Sequence, residues 1–212
     1  MSDRKGFIEF MLAQEVLQFG DFTLKSGRRS PYFFNLGKVA TGSGYAQLGA
    51  AYAEAILASG IEFDVLFGPA YKGIPIAVAT SAALAERGVD VGVAYNRKEA
   101  KDHGEGGWLV GADVQGRVLM VDDVLTSGKA IREAVELIAA TDATIAGAVI
   151  AMDRQELTEQ GVTAVSALSD ELSANVISIA NMQDLIEYLD GDRDQTALLD
   201  RMCAYQAEFC AI

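Results

Sequence analysis

The sequence is poor in cysteine, histidine and positive charge. Its 212 residues hold 17 Lys and Arg against 30 Asp and Glu, which gives a net charge of −13. That balance argues against a nucleic-acid-binding face, because such a face needs a summed positive potential. The spacing of the two cysteines, Cys203 and Cys210, places them about 10 Å apart on one face of a predicted helix, too far for a disulfide with each other. We therefore expect two ordinary apolar thiols in a reducing compartment.

Long apolar runs are also missing. The longest nearly apolar stretch, residues 74–85, is too short to span a bilayer. Glu9, Gln14 and Glu15 interrupt the apolar stretch at the amino terminus, which a secretory signal would not tolerate. There are no repeats and no low-complexity tracts. Since half of the residues are apolar, we expect one folded domain over residues 1–212, in the cytoplasm and without a membrane or nucleic-acid partner.

The most informative stretch, residues 118–130, reads VLMVDDVLTSGKA. Its first four residues are apolar, which predicts a strand buried on both faces with Asp122 and Asp123 at its carboxyl end. A turn of hydroxyl residues and glycine follows, and then a helix. The N–H groups of such a turn and the helix dipole together hold a phosphate without a cationic side chain. The stretch therefore predicts an anion site.

Two further strands also end in polar clusters. A strand over residues 63–67 runs into the glycine-bearing loop GPAYKGIP, in which Lys72 offers a positive charge. A strand over residues 143–152 ends at Asp153 and Arg154. The order of strands and helices predicts an α/β fold with a largely parallel central sheet flanked by helices. Ligands of such sheets bind beyond the carboxyl ends of the strands, so we expect the three clusters to converge.

The amino-terminal region is expected to combine a helix with a short sheet. The apolar spacing predicts a first helix that ends near Gly20, and residues 21–38 are predicted to form a hairpin or short sheet. Phe33 and Phe34 are neighbours and would point to opposite faces of a strand. Either one of them contacts a ligand or both serve packing.

Residues 96–111 are charged, rich in glycine and without periodicity. We interpret them as a mobile binding loop, because loops of this length in compact domains are usually functional or disordered. The alternative is a hairpin with a solvated tip. The cationic or potentially cationic side chains of this loop suit phosphate capture. They are Arg97, Lys98, Lys101 and His103, the only histidine of the chain.

The stretch VLMVDDVLTSGKA resembles the phosphoribosyl pyrophosphate (PRPP) signature of type I phosphoribosyltransferases. The segments FTLKSGRRSPYFFN, GPAYKGIP, NRKEAKDHGEGG and DRQE resemble the orotate phosphoribosyltransferases, in the same order and over nearly the whole chain. The resemblance implies Mg²⁺-dependent transfer of ribose 5-phosphate from PRPP to N1 of orotate. The products are orotidine 5′-monophosphate (OMP) and pyrophosphate, in pyrimidine biosynthesis. It also implies the type I fold, with a small hood within residues 1–40 and a mobile catalytic loop at residues 96–111.

The same resemblance implies roles for individual residues. The implied contacts to PRPP are Lys25, Tyr71, Lys72, Arg97, Lys98, Lys101, His103, Asp122, Asp123, Val124, Leu125, Thr126, Ser127, Gly128, Lys129 and Ala130. The implied contacts to orotate are Phe33, Phe34, Thr126 and Arg154, the last of which pairs with the orotate carboxylate. The implied catalytic residues are Lys101, His103, Asp122 and Asp123, with Lys101 or His103 as a hypothetical proton donor to pyrophosphate.

Further expectations from the resemblance concern partners and backbone. No direct protein ligand is predicted for Mg²⁺, which PRPP and water would mainly hold. A homodimer is expected, in which the loop and Lys25 complete the site of the neighbouring subunit. A cis peptide bond is expected between Ala70 and Tyr71. One residue departs from the family, because Lys129 stands where Thr is usual. Its ammonium either reaches the 5′-phosphate or points to solvent.

Three alternatives share parts of this pattern. A receiver domain also has two acids after an apolar strand, but near its amino terminus. A PRPP-sensing transcription regulator would need a basic face for nucleic acid, which the net charge of −13 disfavours. A purine-base transferase shares the acidic pair. A carboxylated base needs an arginine, however, so Arg154 favours orotate.

Overall fold

The computed structural model describes residues 3–24, 27–101, 107–125, 128–191 and 193–211. The strands are β1 (Leu17–Thr23), β2 (Arg29–Phe34), β3 (Val65–Gly68), β4 (Gly92–Lys101), β5 (Gly107–Gly111), β6 (Arg117–Val124), β7 (Thr144–Asp153) and β8 (Asn175–Asn181). The helices are α1 (Arg4–Ala13), α2 (Gly42–Ser59), α3 (Gly73–Ala85), α4 (Lys129–Ile138), α5 (Ala164–Leu172), α6 (Met182–Asp190) and α7 (Thr196–Phe209). No helix in these ranges is both long and apolar enough to cross a membrane.

The large sheet has six strands in the order β5-β4-β3-β6-β7-β8. β3 is parallel to β4 and β6, and the parallel pairing continues through β7 to β8. The edge pair β4 and β5 is antiparallel. The predicted α/β fold with a largely parallel sheet is therefore confirmed. From β3 the chain proceeds to one edge of the sheet and then returns to β6 on the other side. Such a reversal opens a ligand crevice at the carboxyl ends of the two strands.

Strand β6 is buried on both faces, as its apolar run predicted. Leu119 and Val121 pack into a hydrophobic cluster that includes residues of α1, α2, α3, α6 and α7. Val118 and Met120 pack into a second cluster with α4 and α5. All four side chains are fully buried. Because successive residues of a strand face opposite sides, the helices on both faces hold this strand, and with it the acids at its end, in a fixed position.

The first helix ends earlier than the sequence pattern predicted. α1 ends at Ala13, so the predicted end near Gly20 is wrong. Leu17 is buried, as the helical spacing required, but it already pairs with Phe34 across the antiparallel strands β1 and β2. These strands form the short sheet predicted for this part of the chain, although it begins before residue 21. A buried apolar residue fits either a helix or a strand, and here the strand pairing decides.

Residues 96–111 form β-structure at both ends. β4 continues to Lys101 and β5 begins at Gly107, with Asn96 opposite Leu109. This is the hairpin weighed as an alternative, and residues 102–106 lie outside the described ranges. The backbone ladder forms despite a polar sequence, because an edge hairpin can leave its side chains partly in solvent. The mobility of the loop stays a prediction.

The carboxyl-terminal region differs from expectation in two places. Helix α5 was not predicted, although it buries Leu168 and packs Ala164, Val165 and Leu172 against the same hydrophobic cluster. α7 ends at Phe209, so Cys203 is exposed on the helix whereas Cys210 lies beyond it and is buried. The prediction that both cysteines share one helix face is therefore wrong. Both thiols are free, as expected.

Candidate active site

Asp122 and Asp123 lie at the carboxyl end of β6 and are nearly buried, with exposed fractions of 8% and 7%. The Asp123 N–H donates to Asp122 Oδ1 at 2.9 Å, and the hydroxyl of Tyr52 in α2 donates to the Asp122 carbonyl at 2.6 Å. Lys72 forms an ion pair with Asp123. Burial, and next the charge of Asp123, raise the pKa of Asp122 to about 7. The pair therefore carries less negative charge near neutrality than two exposed carboxylates would.

The turn after the acids leads into the start of α4. Val124 ends β6 and Leu125 is buried, while Thr126 and Ser127 lie outside the described residues. Gly128 adopts the left-handed conformation, with φ 64°, directly before the helix. Glycine suits this position because other residues rarely adopt a positive φ. Lys129 and Ala130 then open helix α4, so the predicted anion site would lie at the amino-terminal end of this helix. The Lys129 ammonium lies 3.6 Å from Glu133 Oε1, and its side chain is 78% exposed.

The loop after β3 approaches the same end of the sheet. A Cβ placed on Gly68 would meet the Gly73 carbonyl oxygen at 2.2 Å, so only glycine allows the strand and the helix start to lie this close. The peptide bond between Ala70 and Tyr71 is cis, as the resemblance predicted. The Ala70 N–H donates to the buried Asn96 Oδ1 at 3.0 Å, a contact that no sequence pattern indicated. Tyr71 itself is 69% exposed.

The cations predicted for the loop are only partly located. Lys98 Nζ lies 5.6 Å from the centre of the Tyr71 ring, so it borders the crevice. Arg97 Nη1 donates to the Gly107 carbonyl at 3.2 Å across the hairpin. Lys101 is the last residue of β4, and its side chain lies outside the part of the chain that the structure describes. His103 and Lys25 lie outside the described ranges. The structure therefore brings Tyr71, Lys72 and Lys98 together with the acids and leaves the other cations as predictions.

The base half of the predicted site lies at the end of β7. Asp153 Oδ1 accepts a hydrogen bond from the Gln155 N–H at 2.8 Å, and Gln155 has a positive φ of 53°. This tight turn holds Arg154 with its side chain 11% exposed. Its guanidinium lies over the ring of Tyr32, 4.2 Å from the ring centre. Phe33 is 40% exposed and stacks on Phe22 at 5.5 Å, whereas Phe34 is half-buried against the core. Phe33 and Phe34 therefore lie on opposite faces of β2, as strand alternation predicted.

Several residues around Arg154 were missed by the sequence reasoning. Glu156 Oε1 accepts hydrogen bonds from Arg154 Nε at 2.7 Å and from the Tyr205 hydroxyl at 2.6 Å. Ser30 Oγ accepts from Arg154 Nη2 at 3.2 Å. Arg28 Nη1 donates to Glu156 Oε2 at 3.1 Å. The acid two positions after Arg154 was the one available signal, since the other partners are remote in sequence.

The donor groups of the site bear on how a metal ion would be held. Within the described ranges no group of three or more His, Cys, Asp or Glu side chains could hold a metal ion. The strand end of β6 offers the two carboxylates of Asp122 and Asp123. Mg²⁺ commonly keeps several waters and takes one or two carboxylates together with substrate phosphates. The residues present therefore fit an ion that arrives with a diphosphate.

A cavity of about 800 Å³ lies away from this crevice, among α1, α2, β8 and α6. Its lining includes Arg4 and Asp184, which form an ion pair of 2.7 Å, and the apolar side chains of Ile8 and Ile179. None of the residues predicted for the site lines it. This cavity therefore lies apart from the residues predicted for the site.

The chain is similar to known proteins over nearly its whole length. Residues 38–180 match the family model described as the phosphoribosyl transferase domain. An orotate phosphoribosyltransferase of Shigella dysenteriae is 55% identical over 207 residues, 97% of each chain. One of Escherichia coli K12 is 54% identical over 207 residues, again 97% of each chain. A crystal structure of orotate phosphoribosyltransferase from Francisella tularensis has a TM-score of 0.88 at 40% identity, and the match covers 97% of this chain and 100% of that one.

Proposed function

Because the chain belongs to the phosphoribosyltransferase family, among its orotate phosphoribosyltransferases, we propose that it transfers ribose 5-phosphate from PRPP to N1 of orotate. OMP and pyrophosphate are the products, and the reaction belongs to pyrimidine biosynthesis. The observation that carries the proposal is a pair of unlike sites on adjacent strand ends. A buried acid pair and a helix start follow β6, and a largely buried arginine follows β7.

The phosphoribosyl half follows from the end of β6. The N–H groups from Leu125 to Ala130, together with the dipole of α4, bind the 5′-phosphate. Asp122 and Asp123 accept hydrogen bonds from the ribose hydroxyls, so the sugar is anchored on both sides of the reacting carbon. Thr126 and Ser127 belong to this turn in the proposal and lie outside the described residues. Positioning of this kind lowers the barrier because the reacting atoms no longer have to find each other.

The diphosphate faces the cations of the crevice. Lys72 is paired with Asp123, and in this proposal it supplies positive charge to the leaving pyrophosphate. As the bond to pyrophosphate breaks, the ribose becomes oxocarbenium-like and the leaving group gains negative charge. Lys72, Lys98 and Tyr71 then stabilise the leaving group, while the acid pair stabilises the positive sugar. Bound Mg²⁺ would add charge neutralisation at the diphosphate oxygens. PRPP and water would mainly hold the ion, and the Asp122 and Asp123 carboxylates lie at the same strand end.

The base half selects a carboxylated ring. Arg154 pairs with the carboxylate of orotate, since a planar guanidinium matches a carboxylate with two parallel hydrogen bonds. Phe33 and Phe34 lie along the ring in this proposal, and the 40% exposure of Phe33 supports its availability. Orotate N1 is acidic enough to react without a dedicated base. The base half therefore decides which base is accepted, and the phosphoribosyl half decides which sugar.

The proposal includes a homodimer in which Arg97, Lys101 and His103 close over the neighbouring site together with Lys25. The apolar side chains of Leu57, Val78 and Trp108 are exposed and so would be available to a partner surface. Lys101 or His103 would donate a proton to pyrophosphate. Mixing Lys101→Ala subunits with Asp123→Asn subunits tests the shared site, because activity returns in mixed dimers only if the loop acts on the partner.

One assay tests the proposed reaction. Purified protein is mixed with PRPP, Mg²⁺ and orotate, and the orotate absorbance is followed with time. We expect the absorbance to fall and OMP to appear, while uracil and hypoxanthine, which lack the carboxylate, are not consumed. Unchanged orotate absorbance would refute the proposed function, and consumption of hypoxanthine instead would identify a purine-base transferase.

A further inference from the structure

A carboxylate that the proposed reaction does not use lies directly beside Arg154. Glu156 accepts hydrogen bonds from Arg154, Arg28 and Tyr205 at distances between 2.6 and 3.1 Å. We infer that Glu156 is a positioning residue, which holds the Arg154 guanidinium in the one orientation that presents its remaining N–H groups to the carboxylate of the base. This inference rests on the proposed function, because it assigns Glu156 to the recognition of that carboxylate.

The Arg154 guanidinium has one edge, formed by Nε and Nη2, that is hydrogen-bonded within the protein, and a second edge at Nη1 that we call the open edge. A guanidinium has five N–H donors in a rigid plane. Nε and Nη2 face Glu156, and Nη2 also reaches Ser30 Oγ at 3.2 Å. In the part of the chain that the structure describes, Nη1 of Arg154 has no hydrogen-bond partner. The plane also rests on the Tyr32 ring at 4.2 Å. Arg154 is thus fixed along one edge and one face, and the open edge is left for a ligand.

Arg28, Arg154 and Glu156 together carry a net charge of +1, which balances one ligand carboxylate. Arg28 and Arg154 contribute two positive charges and Glu156 one negative charge, a sum of +1 before the ligand arrives. Without Glu156 the two guanidinium groups would repel each other, and Arg154 would lose the acceptor that fixes its edge. With Glu156 the cluster keeps the one positive charge that a monoanionic base needs. We therefore expect orientation, rather than total positive charge, to govern affinity for the base.

The backbone around Glu156 is anchored from the carboxyl terminus. Glu156 forms an antiparallel bridge with Cys210, and the Leu157 N–H donates to the Phe209 carbonyl at 2.8 Å. The Ala211 N–H donates to the Gln155 carbonyl at 2.9 Å. From the other side, Arg28 lies over the Phe209 ring at 4.4 Å. The residues before β2 and the segment after α7 therefore hold Glu156 between them, so its carboxylate has a defined position.

The test compares two nucleotides that differ only in the carboxylate. OMP and UMP compete with PRPP for the same site, and their dissociation constants are measured for the wild-type enzyme and for Glu156→Gln. We expect wild-type enzyme to bind OMP more tightly than UMP. In Glu156→Gln the OMP dissociation constant should rise about 10-fold, because a neutral amide orients a guanidinium less well than a carboxylate does. The UMP dissociation constant and the KM for PRPP should stay within about twofold.

Glu62→Gln is the matched control. Glu62 accepts from Arg117 Nη1 at 2.6 Å, so this variant also loses a carboxylate paired with an arginine, but at the start of β6 instead of at the site. Its OMP and UMP affinities should equal those of the wild type. Tyr205→Phe provides a second variant that keeps every charge, and it removes the hydroxyl that donates to Glu156 at 2.6 Å and accepts from Arg154 Nη2 at 3.4 Å. We expect OMP to bind about threefold more weakly to it and UMP to bind unchanged.

The outcomes separate the inference from the proposed function. If Glu156→Gln and Tyr205→Phe weaken OMP and UMP equally, Glu156 merely supports the scaffold and the inference is wrong. Unchanged or tighter OMP binding in these variants would also overturn it, since charge would then outweigh orientation. If the wild-type enzyme binds OMP and UMP equally, the proposed recognition of a carboxylated base fails, and the inference fails with it.

Discussion

The two halves of the crevice are built in different ways. The phosphoribosyl half uses neighbouring residues, the acids at the end of β6 and the first turn of α4, together with the loop after β3. The base half gathers Ser30, Arg154 and Tyr205, whose hydrogen bonds join residues 51 to 124 positions apart. One half is thus encoded locally and the other by tertiary packing. Changes in the first should affect every ligand with a ribose phosphate, and changes in the second only ligands with the carboxylate.

The largest expected effect comes from Arg154→Met. The kcat/KM for orotate should fall about 10³-fold. The variant lacks the guanidinium that pairs with the orotate carboxylate, so that carboxylate would be left without its partner in the site. PRPP binding, measured by calorimetry, should stay within about twofold of wild type. Arg117→Met removes an arginine from the far end of β6 and should keep wild-type kinetics. If Arg154→Met also lost PRPP affinity, the two halves would not be separable.

Asp122 gives the phosphoribosyl half a stability that depends on pH. Its folded pKa of about 7 exceeds the ordinary value of 3.8, so the folded state binds more protons than the unfolded state between these values. Stability from this group therefore falls as the pH rises through that window. The free energy of unfolding is measured with denaturant for Asp122→Asn and for wild type at pH 5 and pH 8. The difference between the two proteins should shift in favour of Asp122→Asn by on the order of 3 kcal/mol as the pH rises from 5 to 8. An unfolding difference independent of pH would show that Asp122 ionises normally.

The contrast between the halves also explains what the sequence could predict. The continuous stretch of residues 118–130 predicts a strand, two acids and a helix start. The phosphoribosyl half was therefore located from the sequence alone. Arg154 was found by resemblance. Its partners Ser30 and Tyr205 were not, because no local pattern marks contacts made across 124 and 51 positions. Glu156 is only two positions away in the same DRQE segment, and its role was missed although that signal was available. Sheet strands and long helices were predicted from periodicity, whereas α5, the end of α1 and the hairpin at residues 96–111 depend on packing that periodicity does not report.

The carboxyl terminus offers a milder way to disturb the base half. Deleting residues 210–212 breaks the bridge between Glu156 and Cys210, because it removes the hydrogen bond from the Ala211 N–H to the Gln155 carbonyl. We expect the KM for orotate to rise about fivefold, since each such hydrogen bond contributes roughly 1 kcal/mol. The KM for PRPP should not change. Steady-state kinetics with each substrate varied in turn checks this, and an equal rise in both values would indicate general loosening instead.

Lys129→Thr should give the smallest effect. The Lys129 side chain is 78% exposed and pairs with Glu133, so we expect it to contribute little to phosphate binding. The KM for PRPP should stay within about twofold of the wild-type value, and the ratio of the two KM values should be the same at low and high salt. A large rise at low salt that shrinks at high salt would place the ammonium on the 5′-phosphate, because such a contact is screened by salt.

The independence of the two halves can be measured most directly with a double-mutant cycle on OMP affinity. OMP engages both halves, Asp123→Asn weakens the ribose contacts, and Glu156→Gln weakens the carboxylate contact. If the halves act independently, the binding losses of the single variants add in the double variant to within about 0.5 kcal/mol. A double variant that binds OMP no more weakly than the poorer single variant would contradict this account, since it would show that the acids and Glu156 act as one unit.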